Sequence, residues 1–182
     1  MNKEKKWRII RTRQDFEQNL VKIFMRKEIQ SFCPLCSFES NTDGHFVIER
    51  RPLFASTLFL YIDDDEMKIV KNTSGVINFL YWRNYPAVIT HKDISNIYKI
   101  TSLSGNIRLE KCEINTGWIG KNAFVSEDEE KSEIITDLPS LGFRMIVKKA
   151  NFYAKELKLK DLQERNVLPA FSLNNSFNLA AV

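Results

Sequence analysis

Cys33-Pro34-Leu35-Cys36 is the most specific local pattern in this 182-residue chain. A C-x-x-C turn brings two thiolates to about 3.7 Å of each other, the separation that two zinc–sulfur bonds of about 2.3 Å require. Pro34 stiffens that turn. A tetrahedral site needs two more ligands. The sequence offers His45, nine residues on and behind an Asp43-Gly44 turn, together with Cys112 or His91 from distant segments. No second C-x-x-C and no H-x-x-x-H is present, so the competing reading is a pair of buried thiols. The metal candidates are Cys33, Cys36, His45 and Cys112. The expectation is no resident cofactor, with zinc the one this sequence could hold.

A second group of residues suits a polyanion. Lys3, Lys5, Lys6, Arg8, Arg11 and Arg13 stand against Glu4 alone, a local charge of +5, with Trp7 among them. Cations attract phosphates without regard to sequence, and an indole can stack on a base. An acidic block lies late in the chain, where Glu127, Asp128, Glu129, Glu130, Glu133 and Asp137 face only Lys131. The two blocks could attract each other, or each could meet its own partner. The net charge of +4 thus conceals a segregated distribution. Tyr81 and Arg83 could share a strand face, and an exposed aromatic–arginine pair is typical of interfaces.

Three short patterns resemble known families. C-P-L-C is similar to the active site of glutaredoxins, but thiol exchange needs the first thiolate at a helix N-terminus, and here the pair follows a helix. Glu66-Met67-Lys68 with Asp43 upstream resembles the D…E-x-K set of metal-dependent nucleases, which implies two carboxylates on Mg²⁺ and a lysine orienting water. The competing reading of Asp63-Asp64-Asp65-Glu66 is a solvated hairpin turn. Asp137-Leu138-Pro139-Ser140-Leu141-Gly142 is similar to the D-x-S-x-x-G turn of PilZ domains, which implies a β-barrel binding a cyclic dinucleotide. Its serine stands one position late, and the family's R-x-x-x-R is missing upstream. No P-loop, dinucleotide fingerprint or nucleophile elbow is present.

The elements that must position these residues follow from hydrophobic periodicity. Residues 14–31 place Phe16, Leu20, Ile23, Phe24 and Ile29 on one helical face, with Thr12 as N-cap and Asp15 as a weak capping box. Runs at 54–62, 66–70, 76–82, 86–91, 97–103, 107–114, 118–125, 133–136 and 143–148 read as short strands. Asp63-Asp64-Asp65 and Ser104-Gly105-Asn106 read as hairpin turns. Residues 150–165 fit either a helix or a strand followed by a short helix. Strands without intervening helices argue for antiparallel pairing.

These readings converge on an α+β fold, an N-terminal amphipathic helix packed on an antiparallel β-sheet or partly closed β-barrel. Residues 1–13 are expected to be a basic lead-in, 14–168 a single domain and 169–182 a loosely held tail. The odd count of three cysteines and the lack of an apolar leader point to the cytoplasm, and no apolar stretch spans a bilayer. The expected function is a non-enzymatic binding or regulatory domain that engages nucleic acid or a protein, partly through Lys3, Lys5, Lys6, Trp7, Arg8, Arg11 and Arg13. The alternatives are a β-barrel sensor for a nucleotide such as a cyclic dinucleotide, and a metal-dependent nuclease.

Overall fold

The computed structural model describes residues 4–42, 45–82, 84–103, 106–112, 124–138 and 141–149. In chain order its elements are β1 (Lys6–Thr12), α1 (Glu17–Arg26), β2 (Gln30–Phe32), β3 (Leu35–Thr42), β4 (His45–Pro52), β5 (Thr57–Ile62), α2 (Asp64–Lys71) and β6 (Val76–Phe79). These are followed by β7 (Tyr81–Trp82), β8 (Tyr85–Pro86), β9 (Val88–Ile89), α3 (His91–Leu103), β10 (Arg108–Lys111), β11 (Phe124–Asp128), β12 (Glu133–Leu138) and β13 (Phe143–Lys148). The chain forms two compact units. Among the described residues, those up to 34 with 52–91 belong to the first, and 35–51 with 92–149 belong to the second.

The first unit is organised by β1. It pairs antiparallel with β5 from Lys6 opposite Ile62 to Arg11 opposite Thr57. Its other edge is shared between β6, which takes Ile10 opposite Phe79, and β9, which takes Trp7 opposite Ile89. β2 pairs with the far side of β5, giving the order β2-β5-β1-β6. This is a β-α-β-β-α-β arrangement of split βαβ type, with the β3–β4 hairpin inserted before β5. Leu58, Phe59, Leu60 and Ile62 are fully buried, as are Ile10 and nearly so Ile9. Central strands covered on both faces read as continuous apolar runs rather than alternating ones. Phe59 anchors one face, 6.1 Å from the Phe32 ring and 5.8 Å edge-to-face from Phe54.

Each helix end has a local cause. α1 buries Leu20, Val21 and Phe24 and closes with a Schellman motif. Ile29 N–H donates to Phe24 O at 2.9 Å, Glu28 N–H to Met25 O at 3.1 Å, and Glu28 takes the left-handed position at φ 57. Its N-cap is Phe16 without a side-chain cap, so the expected Thr12–Asp15 cap is not formed. Thr12 is instead the buried last residue of β1. α2 opens on a full capping box: Asp63 accepts from the Asp65 and Glu66 amides, and Glu66 reaches back to the Asp63 amide.

The second unit contains the sheet β10-β13-β12-β11, antiparallel throughout, and the β3–β4 hairpin. Along β12 and β13, Ile134, Leu138, Met145 and Val147 are buried on one face. On the other face Asp137 and Arg144 stand directly opposite and form a two-pronged ion pair, Nη2 to Oδ2 at 3.0 Å.

Four expectations are corrected. Residues 66–70 lie in α2, not a strand, and 97–103 lie in α3. Residues 6–12 are the most extensively paired strand of their sheet rather than a lead-in. The described sheets are antiparallel, as expected, but none closes into a barrel. Residues 150–182 lie outside the described residues.

Two glycine-related substitutions test this frame in opposite directions. Gly75 sits at φ +95, its carbonyl accepts from the Arg13 amide, and an added Cβ would strike the Phe16 ring. Gly75→Ala is expected to cost about 2–4 kcal/mol. Glu28→Gly relieves the left-handed C′ position and is expected to stabilise by roughly 0.5–1 kcal/mol. Urea unfolding of both variants reads the two signs.

Candidate macromolecule-binding surface

Most of the basic segment is spent inside its own unit. Lys5 Nζ pairs with Glu66 Oε1 at 2.7 Å, in the first turn of α2. Arg8 reaches Asp64 Oδ1 at 3.2 Å with one arm and donates to Pro86 O at 3.1 Å with the other. Lys6 pairs with Glu4 at 3.1 Å. Arg11 and Arg13 are exposed and have no ion pair among the described residues. Lys3 lies outside the described residues.

Trp7 is 1% exposed. The alternation of β1 turns it into the protein, where it lies 5.4 Å from Tyr61 and edge-on to His91 at 6.1 Å. Tyr61 and His91 are 4.9 Å apart. The indole N–H donates to His91 Nδ1 at 3.1 Å, which places the imidazole proton on Nε2. Trp7 is therefore a core anchor at the start of α3, not a platform for a base.

Outward-facing aromatics occur elsewhere in the unit. Between β6 and β9 the chain leaves the sheet and returns as the small β7–β8 hairpin, with Tyr81 opposite Pro86 and Trp82 opposite Tyr85. Leu80 N–H to Ile9 O and Ala87 N–H to Leu80 O, both 2.8 Å, pin its base, and Arg8 braces Pro86. A ladder this short has no room to cover rings. Tyr81 is 51% and Tyr85 77% exposed. Exposed tyrosines of this kind are enriched where proteins meet partners. Arg83, expected to pair with Tyr81, lies outside the described residues.

The described residues assemble no metal group around the C-x-x-C pair. Cys33 and Cys36 are each 2% exposed, and burial pushes the Cys33 thiol up to about 12, with Glu17 adding to the effect. Thiol exchange needs the thiolate, which this burial disfavours. The Cys36 thiol donates to Ser37 O at 3.9 Å. The Cys112 thiol is also raised, by burial and then Asp137. Among the described residues no three His, Cys, Asp or Glu side chains are grouped to hold a metal ion. The His45 side chain lies outside the described residues. Glu66 and Lys68 stand on a helix, and the Glu66 oxygens are held by Lys5 and the Asp63 amide, so the nuclease-like set is not assembled. In the PilZ-like segment, Asp137 is taken by Arg144 and Gly142 turns the chain at φ 70.

The family model for NusG, the transcription termination factor, matches residues 5–98. The chain belongs to the NusG family. The matched stretch holds β1 to most of α3, every cation of the basic segment except Lys3, and the β7–β8 hairpin. The chain is also similar to a solved NusG of Thermotoga maritima, described under domain interaction, at 14% identity and a TM-score of 0.44. The likeness covers 81% of this chain and 95% of that one. No curated protein matches it. Among the described residues no helix of this NusG-family chain is long and apolar enough to cross a membrane.

Two measurements follow. His91→Ala leaves a buried indole N–H without an acceptor and is expected to cost about 1–3 kcal/mol, while Trp7→Phe in that background adds less than it does alone. For Cys33, the folded thiol keeps its proton in a range where the unfolded thiol, near 9.0, loses it. Its contribution is complete below about pH 9 and falls as pH rises toward 12. Urea midpoints of wild type and Cys33→Ala at about pH 8 and pH 10 are expected to show a smaller drop in the variant.

Proposed function

We propose that this chain is a non-enzymatic transcription regulator of NusG type that acts in the cytoplasm on RNA polymerase and its nucleic acid. The match of the family model to residues 5–98 carries this reading. The surface assigned to nucleic acid is narrower than the basic segment as a whole. Arg11 and Arg13 supply the free cations, and Tyr81 and Tyr85 supply rings that can stack. Lys5 and Arg8 hold α2 and the hairpin in place, so their role is to position that surface.

Binding of the full chain to purified RNA polymerase carrying a nucleic-acid scaffold tests the proposal. Affinity is expected to fall with salt, and Arg11→Glu/Arg13→Glu is expected to reduce the slope of log K against log salt by about 1–2. Tyr81→Ala/Tyr85→Ala is expected to weaken binding while leaving the salt slope unchanged. A chain that shows no affinity for polymerase or scaffold at low salt removes the proposal.

A further inference from the structure

The second unit carries a cleft of about 520 Å³ lined only by its own residues. That volume suits a ligand about the size of one nucleotide. Its key positions lie beyond residues 5–98, apart from Phe38 and Ser37 on β3, and it does not depend on the polymerase reading. Ile107 and Ile146 form a buried apolar floor, 8% and 5% exposed. Phe38 is 41% exposed, so part of its surface stays open for a planar group to stack on.

The charges of the cleft are specific. Arg108 donates from Nε to Glu110 at 3.0 Å. Its two terminal nitrogens each meet an oxygen of Glu133 at 3.4 Å, and Glu133 is only 9% exposed. Three of the five guanidinium N–H groups are thus used, and two remain as donors. Lys148 stands directly opposite Glu133 in the sheet register, is exposed, and has no ion pair among the described residues. Glu110 and Glu133 outweigh Arg108 by one charge, so Lys148 brings the cluster to neutrality. Such a cluster attracts an anion only locally, at Lys148, and resists several charges, because each further one meets the Glu133 carboxylate. Asn106 adds an amide that can both donate and accept toward a base edge.

We propose that this cleft binds a nucleoside phosphodiester, with its base on Phe38 and Asn106 and its single charge on Lys148 and the free N–H groups of Arg108. A cyclic dinucleotide and an RNA strand both present this chemistry.

The full chain is titrated with cyclic di-GMP, followed by melting temperature, and with fluorescein-labelled octauridylate, followed by anisotropy. Binding of the first alone identifies a free cyclic nucleotide as the source, and binding of the second identifies a strand. For whichever probe binds, Phe38→Ala and Lys148→Glu are expected to weaken it roughly 5- to 100-fold. The salt slope is expected to be shallow, about −0.7 for one phosphate contact. Asn106→Asp, which changes charge without changing packing, is expected to weaken binding as well and carries the test if Phe38→Ala fails to fold. Three outcomes overturn the proposal: neither probe binds at about 1 mM, binding ignores the cleft variants, or inorganic phosphate displaces the probe at equal concentration.

Discussion

Strand β1 is the constraint on which the first unit depends. It is a short segment that must bury Trp7, Ile9 and Ile10 while carrying Lys6, Arg8 and Arg11. Period-two alternation does not separate these sets cleanly, because strands cover both of its edges. The conflict is resolved at the two ends of the strand. At the start, Lys5 and Arg8 swing to the first turn of α2, where Asp64 and Glu66 also suit the helix dipole. At the end, Arg11 and Arg13 are left outward. The ion pairs are partly exposed and each contributes little by itself. Their effect is to fix where α2 and the β7–β8 hairpin begin, while apolar burial along β1 and β5 supplies the stabilisation.

This division sets which side chains the unit leaves exposed. A tryptophan and two cations that look like contact residues are used internally, and the proposed surface is left with Arg11, Arg13 and the two tyrosines of the hairpin. Arg8 links the two roles. It holds Pro86 and Asp64 at once, so the β7–β8 hairpin and the start of α2 are joined through one side chain. The second unit makes a different use of charge. There Arg108, Glu110, Glu133, Asp137 and Arg144 pair on one sheet face, and Lys148 stands beside them with no ion pair among the described residues.

The sequence made the helix at α1, the strands β5, β6, β12 and β13 and the antiparallel pairing legible. These rest on strong periodicity or on composition. It concealed α2, because Glu66-Met67-Lys68-Ile69-Val70 alternates like a strand, although Asp63-x-x-Glu66 is a capping-box signature that names a helix start. It concealed α3 because Ile94, Ile97, Ile100 and Thr101 are β-branched, although the isoleucines recur every third residue and are buried. The role of Trp7 was hidden by its charged neighbours. Its spacing from Ile9 in KWRIIRT was the available signal. The Arg108–Glu133–Lys148 cleft had no signal at all, since it is assembled by sheet register between segments far apart in sequence.

The central claim is that residues 6–12 are core and not a basic arm. Native-state hydrogen exchange of the backbone amides from Trp7 to Arg11 measures this directly. Paired on both edges, they are expected to exchange only through global unfolding, with the same free energy as Leu58–Leu60 of β5. Exchange within minutes, at the rate of an open chain, would contradict the account.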